Sequence, residues 1–469
     1  MNFRRWVVFS FVIHFLVIAV DKAGGAILWW LTQERKEEKG AADLVTTLPF
    51  ILTAVANLGL ATSLVYFIRR KKYGLKEVSQ TVSMVAVVWG GAVALMAMGV
   101  CAFLLPAIEP AWQITPWIYV PVCLCVPFQL VSSYFNSIQL ATDRVRDYNL
   151  VHLATASSFL PLFLVFYFTS GESAARGIAD ARLVSAVTIT VLTLWMLRGI
   201  VSFRPRLHSA FLRDGLAFGW KANATSVLTY LNHRLDLFMI PLVFVGVAGL
   251  SGRELVKEAA GQVALYSWAV TFAELVWHFP EATRDLFFSK VASVTHEEAR
   301  KLTPTLARLS LVVAILGSAA IYLTIDPVLH WATITFKGKP TWRVDWAPTV
   351  MPALLVLMPG TITFTLAKIL QNDLAGRGHL GACIWACLVN LVTMVGLDLL
   401  WIPKEGALGA ARASSISFVV SSVYTLWAYQ SAGGAKWWQC VVPHVSDWRY
   451  VREIMDAVLV KLRLRKIAT

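Results

Sequence analysis

The chain has 469 residues and a mean hydropathy of +0.63, with 57% hydrophobic and only 15% charged residues. This composition excludes an ordinary soluble domain and is typical of a helical membrane protein with many spans. The net charge of +14 does not indicate nucleic-acid binding, because the cations lie in loops between apolar runs and form no basic domain. The six cysteines contain no CxxC motif, and we expect neither a metal nor a cofactor.

The N-terminus begins like a signal peptide, with Arg4 and Arg5 before an apolar run. The run continues through AGGAILWWL and is long enough to cross a bilayer, which takes about 20 apolar residues. We therefore predict an uncleaved first helix. With the runs that follow, it gives twelve predicted spans, at about residues 6–30, 43–68, 78–105, 116–141, 149–170, 178–198, 216–246, 261–283, 305–325, 346–370, 380–401 and 406–430.

Lysine and arginine alternate sharply between successive loops. Loops on the same side as the N-terminus are rich in them, whereas the loop at 106–116 on the opposite side has none. By the positive-inside rule, both termini are predicted to be cytoplasmic in a multi-pass protein of the inner or plasma membrane. The cations that define this side are Arg69, Arg70, Lys71, Lys72, Lys76, Arg144, Arg146, Arg198, Arg204, Arg206, Arg213, Arg284, Lys290, Arg300, Lys301 and Arg308.

The segment from 435 to 469 differs from the rest of the chain. Apolar residues between Val451 and Leu462 recur on one helical face, and cations between Arg452 and Lys466 lie near them. This pattern predicts a C-terminal amphipathic helix on the cytoplasmic surface, bound to anionic membrane lipids. A loosely ordered basic tail is the alternative.

The chain also repeats itself faintly. Residues of the sixth span recur in the twelfth at an offset of 230 to 232, as Ala181-Arg182, Ser185 and Thr193-Leu194-Trp195 against Ala411-Arg412, Ser415 and Thr425-Leu426-Trp427. The fourth span matches the tenth, and the second matches the eighth, in the same order. Six spans per repeat give two parallel halves with a substrate site between them. We therefore predict an all-α integral membrane fold of about 12 transmembrane helices, in six-helix lobes at 1–200 and 201–434.

The seventh span carries polar groups in the middle of an apolar run. Asn232, His233, Arg234 and Asp236 lie well inside 216–246, where inserting a charge costs at least about 2.5 kcal/mol. Such groups usually face protein or a pathway, and the alternative is a structural pair. Arginine suits a phosphate because its planar fork donates two parallel hydrogen bonds.

Further candidates lie in the first and eighth spans. Lys22 could add a point charge to a phosphate site, although Asp21 beside it is an alternative partner. The candidate substrate cleft therefore comprises Arg234, Lys22, Asn232, Asp236 and Tyr230. For ion coupling the candidates are Asp21 and a row on one helical face, Glu274, His278, Glu281 and Asp285. This row could relay protons, or its last members could form ordinary surface ion pairs.

Motifs of soluble enzymes are missing from the sequence. It contains no GxSxG, HExxH or P-loop motif, and no segment between spans is long enough for a catalytic domain. We therefore expect a transporter rather than an enzyme.

Three stretches carry a family resemblance. They are ANLGLATSLVYFIRRKK in the second span, LNHRLDLFMI in the seventh, and GRGHLGACIWACLVNLVTMVGLDLLWIPKEGALGAARASSIS across the eleventh and twelfth. The last includes Asn390, Ile402-Pro403 and Gly409. With ALYSWAVTFAELVWHFP after the seventh span, these stretches resemble Wzx-type lipid-linked oligosaccharide flippases of the multidrug/oligosaccharidyl-lipid/polysaccharide (MOP) exporter superfamily. The resemblance covers about residues 6–430.

The resemblance implies a MATE-like fold of two lobes that moves by alternating access. It implies an undecaprenyl-pyrophosphate-linked oligosaccharide as cargo, carried to the outer leaflet for a surface polysaccharide such as the O-antigen of lipopolysaccharide. Cationic cavity residues of the family bind the pyrophosphate, a role that Arg234 and Lys22 could take here. Asp21 departs from that pattern and would weaken an anion site beside it. The polysaccharide polymerase and ligase machinery would be partners.

Three alternatives remain open from the sequence. A MATE-like drug or cation exporter would favour acidic and aromatic cavity groups over arginine. A membrane glycan polymerase or ligase usually carries a large outer loop, whereas the longest one here, at about 326–346, is short. A major-facilitator carrier also has two six-helix halves, but no GxxxDRxGRR-like loop follows the second span.

Overall fold

The computed structural model describes residues 13, 16–21, 23–25, 27, 28, 31, 36–108, 116–169, 173–244, 253–277, 296–337, 347–442 and 444. Lys22, His278, Glu281, Asp285 and the predicted tail helix lie outside the described residues. Within the described ranges the regular secondary structure is helical, with no strand. A helix satisfies its backbone N–H and C=O groups locally, as the hydrocarbon of a membrane requires.

The described helices overlap the predicted spans. Their bounds are α1 Lys36–Ala56, α2 Leu60–Arg69, α3 Leu75–Ile108, α4 Pro116–Ala141, α5 Val145–Thr169, α6 Ala174–Leu197, α7 Ser209–Val243, α8 Arg253–Glu274, α9 His296–Lys337, α10 Ala347–Gly376, α11 Leu380–Glu405, α12 Ala407–Ser431 and α13 Trp437–Val441. However, α1, α7, α8 and α9 begin seven to nine residues before the predicted starts. Among the described residues, seven helices are long and apolar enough to cross a membrane, and α1 with α2 makes an eighth if that bent pair is one span. The chain is a multi-pass membrane protein.

The second span is broken rather than continuous. Its two helices, α1 and α2, are bent by 50° at a break of three residues that ends at Gly59. The break interrupts the helical hydrogen bonds, and side chains of other helices donate to two backbone carbonyl groups there. Trp89 Nε1 donates to the Ala56 carbonyl at 3.1 Å, and Tyr134 Oη donates to the Asn57 carbonyl at 2.9 Å. Such replacement bonds make a helix break tolerable at membrane depth.

Helix α7 packs directly on this break. Gly59 has a φ of +73°, which favours glycine, and a Cβ there would lie 2.1 Å from the Gly219 carbonyl oxygen. In return, a Cβ on Gly219 would lie 2.3 Å from the Gly59 carbonyl oxygen. Ser63 Oγ donates to the Gly215 carbonyl at 2.6 Å. The seventh span is thus fixed to the second by backbone contact that no larger residue permits.

The start of α7 is also tied to the loop after α2. Lys72 Nζ lies 2.6 Å from Asp214 Oδ2, and Tyr73 Oη donates to the same oxygen at 2.7 Å. These two hydrogen bonds hold the pKa of Asp214 below its ordinary value, and the bond to Asp214 raises the pKa of Lys72. Because the pair faces solvent, its contribution to stability is small.

The helices form two compact units. The first comprises Met1–Trp268 and Met394–Ala413, and the second comprises Ala269–Thr393 and Ser414–Thr469. In the first unit α4 packs against α3 and α6, while α7 packs against α1 and α2. In the second unit α9 packs against α10 and α13. The division into lobes at 1–200 and 201–434, with a tail at 435–469, stays a prediction.

Repeat-related positions in α6 and α12 share the same environment. Ala181 and Ala411 are fully buried, and Thr193 and Thr425 are also fully buried. By contrast, Trp195 and Trp427 expose 55% and 64% of their surface. The two copies therefore bury and expose the same positions, which supports the internal repeat inferred from sequence.

Candidate functional site

The seventh span buries its carboxylate almost completely. Asp236 is 1% exposed, and Tyr266 Oη of α8 donates a hydrogen bond to its Oδ2. The backbone N–H of Leu237 donates to its Oδ1 at 2.9 Å. Asn232, one turn earlier on the same face of α7, is 2% exposed. A carboxylate at this depth needs such donors, because burying it without partners costs several kcal/mol.

A second buried carboxylate lies near the first. Asp398 of α11 is fully buried, and it is close enough for electrostatic repulsion from Asp236. Within the described part of the chain, neither carboxyl oxygen of Asp398 has a hydrogen-bond partner. Asn390, on the same side of α11, is also fully buried without a side-chain partner among those residues. We call Asp236 and Asp398 the acidic pair. Tyr266 lies beside it.

The acidic pair favours the binding of positive charge. Two carboxylates that share a buried site cannot both ionise cheaply, so either a proton or a small cation between them would lower the free energy. No three His, Cys, Asp or Glu side chains in the described ranges lie together as a metal site would require. Two carboxylates and a tyrosine hydroxyl suit a proton or a hard monovalent cation.

The other candidates of the seventh span lie in different surroundings. Tyr230 is 44% exposed, whereas Arg234 is half-buried and already has an interaction partner. His233 is also half-buried, and its Nδ1 lies 2.6 Å from the Thr229 carbonyl oxygen. The structure therefore places Asn232 and Asp236 together on a buried face, and Tyr230 away from them.

A second cation in a span was not singled out as a site residue from sequence. Arg182 lies in α6, eight residues after its start, which is roughly 12 Å along the helix. The centre of its guanidinium lies 4.1 Å from the ring centre of Phe159 and 5.1 Å from that of Phe50. Asp21 interacts with it electrostatically, but no carboxylate of a described residue comes within ion-pair distance. Its buried Nε has no acceptor among those residues.

Arg412, the repeat-related counterpart of Arg182, has different interaction partners. Arg412, in α12, donates from Nη1 to both oxygens of Glu405, at 2.6 and 2.7 Å. Glu405 therefore forms an ion pair with Arg412, whereas among the described residues Arg182 stacks on two aromatic rings and feels Asp21 only at longer range. Arg182 was not singled out because it lies in the first turns of the predicted span, two residues after Asp180, where a cation is ordinary.

The second unit has its own half-buried cations, Lys368 and Arg377. Lys368 of α10 places Nζ 4.2 Å from the ring centre of Trp277. Arg377 pairs with Asp373 at 2.5 Å, and Thr303 also donates to that carboxylate. This ion pair is nearly inaccessible to solvent, so it stabilises the packing of α9 and α10 rather than presenting a charge.

The predicted coupling residues are only partly described. Asp21 is exposed, and Glu274, the last residue of α8, is half-buried with an interaction partner. His278, Glu281 and Lys22 lie outside the described residues. The proton row of the eighth span and the cationic role of Lys22 therefore stay predictions.

Comparison with known proteins places the fold. No family model and no curated protein matches the chain. A solved inward-facing multidrug resistance MATE family transporter of the MOP superfamily aligns with a TM-score of 0.69 and 15% identity, over 89% of this chain and 94% of that one. The lipid II flippase MurJ, in an inward closed conformation, aligns with a TM-score of 0.69 and 13% identity, over 93% of this chain and 88% of that one.

The chain has the MATE-like fold of MOP transporters. An outward-facing MATE transporter also aligns, with a TM-score of 0.65 and 14% identity, over 91% of this chain and 95% of that one. The likeness covers nearly the whole MOP fold in each case. Because the similar structures include multidrug transporters and a lipid flippase, the fold alone does not assign a function to the chain.

Proposed function

We propose that this chain is a flippase that moves an undecaprenyl-pyrophosphate-linked oligosaccharide from the inner to the outer leaflet by alternating access. The observation that carries the proposal is Arg182, a cation in the first third of α6 that forms no ion pair with a carboxylate of a described residue. A half-buried cation of this kind repels cationic drugs and attracts anionic cargo. The Wzx-type resemblance and the structural likeness to a lipid II flippase support the same choice.

Arg182 suits a pyrophosphate for a geometric reason. Its guanidinium is held against Phe159 and Phe50, so little rotational freedom is lost when the fork binds two phosphate oxygens. Arg234 and Lys22 would contribute further positive charge, as the sequence predicts.

The energy for the cycle would come from cation uptake at the acidic pair. Asp236 and Asp398 are buried and repel each other, so binding of a proton or Na⁺ changes the charge of this region by one unit. Such a change can bias an equilibrium between inward- and outward-facing states. Because Asp236 is 1% exposed, it suits a small cation better than a bulky lipid headgroup.

A MATE-like exporter of cationic drugs is the second candidate, and the acidic pair is the observation that favours it. A site that binds a small cation could exchange it for a cationic drug in a neighbouring cavity. The two functions require opposite charge in the cavity. Removal of Arg182 should raise the affinity of an exporter for cationic cargo and lower the affinity of a flippase for anionic cargo.

The proposal is tested by cargo binding. Purified full-length protein in detergent is titrated with undecaprenyl-pyrophosphate-linked oligosaccharide, and Arg182→Ala is compared with the matched control Arg412→Ala. Loss of one charged hydrogen-bonding partner is worth about 1.5–3 kcal/mol, so Arg182→Ala should weaken binding roughly 10- to 150-fold. Arg412→Ala, whose charge Glu405 already neutralises, should bind like the native chain.

Thermal stability of each variant is measured in parallel. Equal affinity of a folded Arg182→Ala protein and the native chain would contradict the proposal. Tighter binding of a cationic dye by Arg182→Ala, with no binding of the lipid-linked glycan by any variant, would favour the exporter.

A further inference from the structure

A cavity lies beside the segment that connects α6 to α7. This connecting segment, residues 199–208, is called the linker. The cavity has a volume of about 550 Å³, a size typical of pockets that hold small molecules or headgroups. Its cations are Lys76, Arg204 and Arg206, with His208 at the edge. All of these residues belong to the first compact unit.

The linker is fixed to the start of α3 by a row of hydrogen bonds. The Ser202 and His208 backbone N–H groups donate to Ser79 Oγ and Thr81 Oγ1, each at 3.2 Å. Between them in sequence, Gln80 donates from Nε2 to Ser202 Oγ at 3.1 Å. Its backbone carbonyl accepts from the Arg206 backbone N–H at 3.3 Å. These bonds order the backbone before any ligand arrives, which reduces the entropy that binding costs.

The cavity carries excess positive charge. Lys76, Arg204 and Arg206 are exposed, and in the described part of the chain none of them forms an ion pair. The only carboxylate in the lining is Glu77, so the cations outnumber the acid. Three cations around one concave surface attract a phosphate group.

Exposed apolar residues lie next to the cavity's cations in the chain. Ile200 and Leu207 expose 45% and 48% of their surface on either side of the cations. At the end of α6, Trp195 is 55% exposed, with the Arg198 guanidinium 4.9 Å from its ring centre. Exposed tryptophan beside arginine is typical of the boundary between hydrocarbon and headgroups. A ligand here would meet both a cationic pocket and an apolar rim.

We propose that the linker cavity binds the phosphate group of an anionic phospholipid in the leaflet on the side predicted to be cytoplasmic. The cations hold the phosphate, while Ile200 and Leu207 contact the first part of the acyl chains. The cytoplasmic leaflet holds the anionic lipids that basic surface segments attract. Because the linker joins the two predicted repeats, a lipid bound there should stabilise the folded protein. The thermal stability of the protein should therefore depend on the anionic lipid content of its surroundings.

The test measures thermal unfolding of the purified full-length protein in mixed micelles. Micelles containing phosphatidylglycerol are compared with micelles containing only phosphatidylcholine, and glycerol phosphate in phosphatidylcholine micelles forms a third arm. The variant is Arg204→Ala/Arg206→Ala. The matched control is Arg146→Ala/Arg213→Ala, which removes two exposed cations on the same predicted side that do not line the cavity.

We expect phosphatidylglycerol to raise the unfolding temperature of the native chain and of the control, and the cavity variant to lose at least half of that rise. Arg204→Lys/Arg206→Lys should keep part of it, because charge remains while the fork is lost. An equal rise in the cavity variant and the control would overturn the proposal. An equal effect of glycerol phosphate would also overturn it, since the site would then bind a soluble anion.

Discussion

Substitution of Gly219 by alanine tests how α7 is seated on the broken second span. The added Cβ would lie 2.3 Å from the Gly59 carbonyl oxygen and 2.6 Å from Ser63 Oγ. A comfortable carbon–oxygen contact is about 3.3–3.6 Å, so the two backbones must separate by about 1 Å. Overpacking costs about 1–3 kcal/mol, and the upper value of about 3 kcal/mol applies here because backbone itself must move.

Helix propensity opposes this loss, because alanine favours a helix more than glycine does. A second Gly→Ala substitution in open space therefore serves as the control. Alanine is better than glycine in a helix by about 1 kcal/mol, so the expected net loss for Gly219→Ala is about 2 kcal/mol in the free energy of unfolding. Gly91, in α3, has open space where a Cβ would be. Gly91→Ala should therefore be neutral or slightly stabilising, although both substitutions add the same methyl group.

The assay is thermal unfolding of the detergent-solubilised protein, followed by the loss of the monodisperse peak in size-exclusion chromatography. At about 2–4 °C per kcal/mol for a domain of 150–250 residues, Gly219→Ala should unfold roughly 4–8 °C below the native chain. Unfolding at the same temperature as Gly91→Ala would refute the close approach of α7 to the break.

Four further outcomes are expected. Asp398→Asn should raise the unfolding temperature in cation-poor buffer, because it relieves buried repulsion, and should abolish any stabilisation by Na⁺ or acid; retained stabilisation would count against the acidic pair. Tyr266→Phe should lower the free energy of unfolding by about 1.5–3 kcal/mol, the worth of a hydrogen bond to a charged group, as judged by thermal unfolding against the native chain. Arg234→Ala should lose most cargo flux at normal membrane abundance while Arg234→Lys keeps part of it, and normal flux in Arg234→Ala would remove this residue from the site. In a cysteine-free background, Ile108→Cys should react with an impermeant thiol reagent in intact cells whereas Lys71→Cys should not, and the reverse pattern would overturn the predicted topology.

The spans were predictable because uninterrupted apolar runs decide them. The fourth span was predicted at 116–141, the bounds that α4 has in the structure. The break in the second span was missed because Asn57-Leu58-Gly59 is a short signal inside a long apolar run. What makes the break stable is Trp89 and Tyr134, which come from other helices and cannot be assigned to it from local sequence.

The candidate site was predictable only for groups whose burial is itself abnormal. Asp236 was found because a carboxylate in the interior of a span is costly. Its neighbour Asp398 is the only charged residue from Leu380 to Pro403, so the same criterion would have found it. Tyr266 could not be found this way, since a tyrosine in a helix is ordinary and its hydrogen bond to Asp236 depends on tertiary packing.

Transport in reconstituted vesicles tests the proposed function most directly. Full-length protein is placed in proteoliposomes with a fluorescent undecaprenyl-pyrophosphate-linked oligosaccharide, and a membrane-impermeant glycosidase reports how much cargo reaches the outer leaflet under an imposed Na⁺ or proton gradient. We predict gradient-dependent arrival of cargo with the native chain and with Arg412→Ala, and arrival at the protein-free rate with Arg182→Ala. Arrival at the protein-free rate with the native chain, alongside gradient-driven export of a cationic dye from the same vesicles, would contradict this prediction.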